Sequence, residues 1–222
     1  MGISVKSNVD CDGCIFIEGY EPGRSSAEIA ALFGKVLSVW DDEDPVQDLV
    51  PIDKNDAAPN TYSGIFGRDR FPFHTDLAHW RDPPRYLMLR CVKGYVDIPT
   101  LVIDGHDLVS AIGPDLLNRA LVKPRRPRDG RFSMLTLREP EDDRPALIRW
   151  DEVYLKPASK LGELAMSRMK KEIASHRVIE TTLAEPGDTM IIDNWRMLHA
   201  RAPVPAGRED RLIERTYLGE LN

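Results

Sequence analysis

Eight short runs of apolar and β-branched residues constrain the fold of this chain most strongly, because each is bounded by glycine, proline or charged turns. We predict strands at residues 14–18, 86–92, 100–103, 132–137, 146–150, 178–183, 189–193 and 212–218. These runs do not alternate regularly with helical patterns, which disfavours a doubly wound parallel sheet. The expected fold is therefore mainly β with flanking helices, built on a double-stranded β-helix (jelly-roll) core or a β-sandwich.

Three helices are predicted between the strands. The clearest follows the capping box of Ser25 and Glu28, after which apolar residues recur at helical spacing through Trp40. A second begins at Asp107 as N-cap and extends over 108–117, and a third covers about 157–173. Repeats and long linkers are absent from the sequence, so a single domain over residues 1–222 is the simplest organisation.

Composition restricts the class of protein and its partners. The chain is 42% hydrophobic, enough for a packed core, yet no window approaches the ~18 consecutive apolar residues of a membrane span. Its first ten residues lack an apolar signal core, and three cysteines are too few for a disulfide framework. We expect a soluble, cytoplasmic protein with no membrane partner, and the net charge of -6 disfavours nucleic acid as a partner. Nothing in the sequence indicates the oligomeric state.

Two local patterns, a cysteine pair and a basic run, do not by themselves predict a functional site. Cys11 and Cys14 have redox spacing, but a second pair and a surrounding βαβ unit are missing, so we interpret this segment as turn residues before a strand. The basic run at residues 123–131 contains prolines and a glycine and predicts a loop. Its charges are either solvated or face a substrate or an anionic partner.

Three residues, two histidines and an aspartate, are candidate metal ligands. His74 and Asp76 are two residues apart, so in extended backbone both side chains point to the same side and could ligate one metal. His199, which follows the apolar strand predicted at 189–193, is the best candidate for a third ligand. Two histidines and one carboxylate on one face of an ion leave its other face open, the arrangement suited to non-haem Fe(II) and oxygen chemistry.

Two arginines lie downstream of His199. If residues 211–217 form a strand, Arg211, Ile213, Arg215 and Tyr217 share one face. Each arginine could then clamp a carboxylate, because the planar guanidinium offers paired donors. The alternative is that both are surface charges on an edge strand.

The order and spacing of these motifs resemble the Fe(II)/2-oxoglutarate-dependent dioxygenases of the taurine dioxygenase and clavaminate synthase-like group. The resemblance covers about residues 61–218 and is carried by segments 73–78, 83–91, 186–188 and 193–201. It implies Fe(II) and 2-oxoglutarate as cofactors, with O2 and a small-molecule substrate as partners.

The resemblance also assigns roles to individual residues. His74, Asp76 and His199 correspond to the catalytic iron ligands. Arg211 and Thr100 lie where the family holds the distal carboxylate of 2-oxoglutarate. Arg215 and Arg70 lie where relatives contact the substrate.

The implied activity is the oxidation of an unactivated C–H group, coupled to conversion of 2-oxoglutarate to succinate and CO2. The outcome would be hydroxylation or desaturation of a small polar substrate such as an amino acid, amine, carboxylate or biosynthetic intermediate. Asp76 favours a halide-free outcome, because related halogenases lack this carboxylate. Two alternatives stay open: a nucleic-acid oxidative demethylase, although residues 211–217 lack the internal Asn of that group's signature, and a non-catalytic cupin-like binding protein.

Overall fold

The computed structural model describes residues 4–40, 43–127 and 130–222. Its helices are α1 (Val5–Asp12), α2 (Ser26–Phe33), α3 (Tyr62–Phe66), α4 (Gly105–Ile112), α5 (Pro114–Arg119) and α6 (Lys160–Ser175). The first seven strands are β1 (Cys14–Ile17), β2 (Gly34–Leu37), β3 (Val46–Leu49), β4 (Tyr86–Lys93), β5 (Thr100–Asp104), β6 (Leu121–Pro124) and β7 (Leu135–Thr136). The remaining strands are β8 (Arg138–Glu139), β9 (Leu147–Ile148), β10 (Leu155–Pro157), β11 (Ile179–Thr181), β12 (Thr189–Asp193), β13 (Met197–Arg201) and β14 (Leu212–Leu221). Among the described helices, none has both the length and the hydropathy needed to cross a bilayer.

The strands form two principal sheets. The larger has the order β1-β12-β4-β14-β2, with β3 also paired to β14, and a second sheet has the order β11-β5-β13. Two smaller groups, β10-β6-β7 and β8-β9, complete the set. Every pairing between these described strands is antiparallel, which confirms the prediction of a mainly β fold without a doubly wound parallel sheet.

The central strands of the larger sheet are buried on both faces. Along β4, Tyr86 and Met88 pack in one apolar cluster with residues of α1 and α2, whereas Leu87 and Leu89 pack in another with Val102 of the second sheet. Successive side chains of a strand point to opposite faces, so this alternation places helices on one side of the sheet and the second sheet on the other. The functional residues described below lie on the side of the second sheet.

The beginning of the chain differs from the prediction. Cys11 and Asp12 form the last turn of α1, which the sequence did not predict, so the interpretation of Cys11 as a turn residue is wrong. Only Val5 and Val9 of this helix are buried, a pattern too short to be read as helical periodicity. Gly13 ends the helix with φ of 77°, and a Cβ there would lie 2.4 Å from Met197 Sδ.

The helix predicted through Trp40 is shorter than expected. The capping box of Ser25 and Glu28 is present, but α2 ends at Phe33 and the chain continues as β2. At Gly34 the backbone of β14 approaches so closely that a Cβ would meet Glu220 O at 2.0 Å. Pairing with β14 therefore overrides the helical spacing of the apolar residues after Phe33.

The second and third predicted helices also change at their ends. Asp104, not Asp107, is the N-cap of α4, and its carboxylate accepts a hydrogen bond from His106 N. Gly113 and Pro114 divide the predicted helix into α4 and α5, since Gly113 adopts φ of 100°. The third helix is present as α6 and begins a few residues later than expected.

Several strands were mispredicted. Of the run 132–137 only β7 is a strand, while Phe132 and Met134 are exposed. Six of the described strands were not predicted at all: β2, β3, β6, β8, β10 and β13. In the basic run, Lys123 and Pro124 belong to β6 and Arg125 and Arg126 follow in a bend, whereas residues 128 and 129 lie outside the described residues.

Candidate metal centre and its cavity

The backbone brings His74 and His199 together. His74 N donates to His199 O at 2.9 Å, and His199 N donates to His74 O at 2.8 Å, an isolated antiparallel bridge. His199 lies in β13, opposite Val102 of β5, so the second sheet carries it. The bridge therefore attaches the segment containing His74 to the edge of this sheet.

The three predicted ligands form one buried cluster. Potential ligand atoms of His74, Asp76 and His199 lie within 4.8 Å of one another, and the residues are 8%, 5% and 7% exposed. Asp76 Oδ1 lies 3.3 Å from His74 Nε2 and 3.4 Å from His199 Nε2. These are separations at which three donor atoms can share one ion.

A hydrogen bond sets the orientation of the His74 ring. His74 Nδ1 lies 2.9 Å from the carbonyl oxygen of Pro72, and a carbonyl can only accept, so Nδ1 carries the proton. Nε2 is then left with a lone pair directed at the cluster, the usual arrangement for a ligating histidine. Burial lowers the pKa of His199, which favours the neutral imidazole that a metal requires.

The second oxygen of Asp76 has protein partners. Arg215 Nη1 donates to Oδ2 at 3.0 Å, and the Tyr217 hydroxyl donates to the same atom at 2.7 Å. Burial disfavours the charged form, but the charge of Arg215 holds the pKa of the Asp76 carboxyl well below its usual value. Asp76 is therefore an ionised carboxylate with one oxygen held by protein and the other available to a metal.

The backbone of Asp76 is held by Asn194. The Asn194 Oδ1 accepts from Asp76 N at 2.6 Å, and its Nδ2 donates to Asp76 O at 3.0 Å and to Pro84 O at 2.9 Å. Asn194 has no exposed surface, and the next residue after Asp76, Leu77, adopts φ of 55°, which is uncommon for a side chain of this kind. These contacts fix where the carboxylate emerges from the chain.

The donor set suits Fe(II). Two imidazoles and one carboxylate on one side of an ion form the facial triad typical of non-haem iron sites. Each ligand is further held by a hydrogen bond or a backbone contact, as metal-site ligands usually are. The residues present therefore fit an iron ion.

A cavity of about 460 Å³ opens onto the triad. Its wall includes Thr100 at the start of β5 together with Arg211, Ile213, Arg215 and Tyr217. Ile213, Arg215 and Tyr217 lie on one face of β14, as the alternation of a strand predicts, and Arg211 directly precedes the strand. β14 is bonded to β4 on one side and to β2 and β3 on the other, so the alternative of surface arginines on an edge strand is wrong.

Arg211 is a buried cation without a counter-charge in the described chain. It is 5% exposed, its Nε has no hydrogen-bond partner, and no described carboxylate forms an ion pair with it. Burial lowers the pKa of Arg211 to about 10. An unpaired guanidinium in a cavity wall is costly unless an anion enters, so this position could accept a carboxylate.

Arg201, to which the sequence analysis gave no role, also lines the cavity. It stands opposite Thr100 in the pairing of β13 with β5. Its Nη2 donates to the carbonyl oxygens of Gly67 and Asp69 at 2.7 and 2.9 Å, and its guanidinium lies 3.7 Å from the ring centroid of Phe71. Arg201 therefore ties β13 to the segment that leads to the first histidine ligand.

The two predicted substrate-binding arginines are placed differently. Arg215 lines the cavity, but its guanidinium is shared between Asp76 and Gln47, whose Oε1 accepts from Nε at 3.2 Å and from Nη2 at 2.6 Å. Arg70 is exposed, lies 5.3 Å from the ring centroid of Phe73, and is not brought to the cavity.

Three cavity residues were missed by sequence reasoning. Asp151 is 2% exposed, and the rings of Tyr62 and Tyr154 lie 5.5 Å apart beside it in the cavity wall. Tyr62 also stacks on the His74 ring at 4.5 Å. These residues come from a short helix and from irregular segments, where neither spacing nor periodicity offers a signal.

No sequence profile of a known family matches the chain. An asparagine oxygenase solved with Fe(II), 3-hydroxyasparagine and succinate superposes with a TM-score of 0.68 at 18% identity, over 96% of this chain and 77% of that one. The chain shares its fold with non-haem iron oxygenases.

Two further structures agree. The non-haem iron oxygenase OrfP, solved with Fe and α-ketoglutaric acid, gives a TM-score of 0.64 at 23% identity, over 87% of this chain and 62% of that one. The PvcB protein of Pseudomonas aeruginosa gives 0.66 at 16% identity, over 96% and 78%. At these identities the likeness establishes the fold, and the chemistry depends on this chain's own residues.

Proposed function

We propose that residues 1–222 form a single-domain Fe(II)- and 2-oxoglutarate-dependent oxygenase that hydroxylates or desaturates an unactivated C–H of a small polar substrate. One observation carries the proposal: the buried triad and the unpaired Arg211 line the same cavity. The triad supplies an iron site, and the arginine supplies a cationic anchor for a dicarboxylate. A non-catalytic cupin-like binding protein does not explain this pairing as directly. A nucleic-acid demethylase of the same iron class would share the pairing, and it is disfavoured instead by the net charge of -6 and by the lack of an Asn in residues 211–217.

The iron site is assigned to His74, Asp76 and His199. When bound there, Fe(II) and 2-oxoglutarate supply an O2-dependent oxidation that yields succinate and CO2 and attacks a C–H group. The protein's part is positioning. Pro72 O fixes the proton of His74, and Arg215 and Tyr217 fix the outer oxygen of Asp76.

The cosubstrate site is assigned to Arg211 and Thr100. A carboxylate against Arg211 would satisfy a guanidinium that the described protein leaves unpaired, and the Thr100 hydroxyl is a neutral donor in the same wall. Both residues are nearly buried, so the bond forms away from water and is correspondingly strong.

We further propose that the core is a jelly-roll. Support comes from the two antiparallel sheets whose facing residues, Leu87 and Ile192 of one and Val102 of the other, share one apolar cluster. The site lies at the end of this core where His74 is attached to β13.

For the substrate, the structural neighbours suggest an amino acid or a similarly small polar compound. One was solved with hydroxyasparagine, and OrfP with L-canavanine. We assign Arg215 to holding Asp76 and not to binding substrate, because its donors already face Asp76 and Gln47. The exposed Arg70 has no part in this assignment.

The test is spectroscopic and then chemical. Added anaerobically, Fe(II) and 2-oxoglutarate should together produce a visible charge-transfer band that neither gives alone, and O2 should then convert 2-oxoglutarate to succinate. His74→Ala and Asp76→Ala should lose both, whereas His106→Ala, at an exposed histidine of α4, should lose neither. A wild-type protein without the band, or a His74→Ala variant with intact turnover, would contradict the assignment.

A further inference from the structure

Once iron and 2-oxoglutarate are assigned, the arginines of the cavity have partners, but one buried carboxylate has no cationic partner among the described residues. Arg211 is taken by the dicarboxylate, Arg215 by Asp76 and Gln47, and Arg201 by two backbone carbonyls. Arg201 keeps its Nε without a hydrogen-bond partner, but its guanidinium is held against the Phe71 ring and two backbone carbonyls. The buried group left over is a carboxylate, Asp151.

Asp151 is buried without a cationic partner. Its Oδ1 accepts backbone hydrogen bonds from Val153 at 2.7 Å and Tyr154 at 2.8 Å, which hold the side chain in place. No ion pair to a described lysine or arginine neutralises it, and burial raises the pKa of Asp151. A buried carboxylate of this kind gains most from a ligand that brings a positive charge.

Aromatic rings stand beside this carboxylate. Tyr62 and Tyr154 lie edge to face with centroids 5.5 Å apart, and Tyr154 lies 5.6 Å from the ring of His79. The Tyr62 hydroxyl is buried, and its interaction with the Asp151 carboxylate places the Tyr62 ring next to that group. Neutral tyrosine faces attract cations, especially where water is excluded.

Asp151 and Tyr62 also lie close enough to the triad for a substrate bound there to reach the metal site. Tyr62 stacks on His74 with ring centroids 4.5 Å apart, and both residues line the same cavity as Asp151. A small molecule that reaches this pocket can therefore also present carbon atoms to the metal side of the cavity.

We propose that Asp151, with the rings of Tyr62 and Tyr154, binds a cationic group of the substrate, an ammonium or a guanidinium. This inference rests on the proposed function and narrows its substrate class to cationic amino acids or amines. An anionic substrate would be repelled by the buried charge of Asp151. A neutral one would leave the buried carboxylate unpaired.

The test uses matched pairs of probes on protein loaded anaerobically with Fe(II) and 2-oxoglutarate. L-arginine is compared with L-citrulline, its neutral near-isostere, and L-lysine with L-norleucine. Binding is followed by calorimetry and by the change in the charge-transfer band. We expect the cationic member of at least one pair to bind at least tenfold more tightly.

Variants locate the preference. Asp151→Asn keeps an acceptor for the two backbone N–H groups but removes the charge, so it should reduce the preference to less than threefold while the band with Fe(II) and 2-oxoglutarate persists. Tyr154→Leu should weaken the cationic probe several-fold, and Tyr154→Phe, which keeps the ring, should not. Asp115→Asn, at an exposed carboxylate of α5, is the matched control.

The outcomes separate the two proposals. A missing charge-transfer band in wild-type protein overturns the proposed function itself. A normal band with equal binding within both pairs, with no binding of any probe, or with the preference retained in Asp151→Asn overturns the cation site alone. Because the probe comparison in wild-type protein needs no substitution, it remains decisive even if a variant fails to fold.

Discussion

Arg215 donates a hydrogen bond of 3.0 Å to Asp76 Oδ2, whereas the other carboxylate oxygen, Oδ1, lies nearest the two histidines. The arginine thereby compensates the buried charge of Asp76 and leaves Oδ1 for a metal. Tyr217 supplies a second bond to the same oxygen, so the carboxylate cannot rotate without losing both partners.

Removing the Tyr217 hydroxyl should loosen the metal site without a change of shape. We expect Tyr217→Phe to lower Fe(II) affinity about 10-fold, the low end of the effect of removing a residue that orients a ligand. Anaerobic titration against a competing chelator measures this. Tyr20→Phe, in a tyrosine that packs on Phe33, is the control, and equal affinities in both variants would refute the orienting role.

Arg211 should lower the stability of the protein without 2-oxoglutarate and raise its affinity for 2-oxoglutarate. Arg211→Met removes a buried, unpaired charge, so without 2-oxoglutarate the variant should unfold at a higher urea concentration than wild type. Its affinity for 2-oxoglutarate should fall about 100-fold, or about 2.7 kcal/mol. Arg168→Met, at an exposed arginine of α6, should change neither property. Retained cosubstrate affinity in Arg211→Met would exclude the assignment.

Asp151 should make the stability of the substrate-free protein depend on pH. Its pKa is raised in the folded state, so wild type loses stability as pH rises through the unfolded-state value of about 3.9. Asp151→Asn lacks this loss and should be more stable at pH 7, by about 1 kcal/mol. The gain should disappear below about pH 4. Urea unfolding at several pH values measures it, with Asp115→Asn as control, and a gain independent of pH would contradict the cause.

Asn194 should matter to stability and to metal binding together. Asn194→Ala leaves Asp76 N, Asp76 O and Pro84 O without their partner in a fully buried position, so we expect a loss of about 2 kcal/mol or more. The Fe(II) affinity of the folded variant should fall as well. Asn8→Ala, whose side chain bonds only Ser4 O near the surface, is the comparison in chemical denaturation. A similar small loss in both variants would remove the special role of Asn194.

The triad could be predicted from sequence because its determinants are local. His74 and Asp76 are two residues apart and therefore lie on the same side of an extended segment. The apolar strand β12 precedes the segment that carries His199 and can be recognised from sequence. The same alternation predicted that Ile213, Arg215 and Tyr217 share one face of β14, whereas Arg211 lies just before the strand. In each case the backbone geometry of a few residues decides the direction of the side chain.

Other features depend on contacts between distant segments and escape such reasoning. Gly34 leaves helical geometry because β14 approaches it, and Asp151 becomes a buried, unpaired charge only when Tyr62, far away in sequence, packs beside it. The partners of Arg215 could not be predicted from sequence either, since Gln47 and Asp76 reach its guanidinium from different elements.

The backbone bridge between His74 and His199 has a consequence for iron exchange. Both imidazoles are anchored by main-chain hydrogen bonds that exist without any ion, so release of iron breaks none of the bonds that maintain the sheet. The site should therefore empty and refill in the folded protein, and the rate of refilling should be set by passage of the ion through the cavity and not by refolding of the chain.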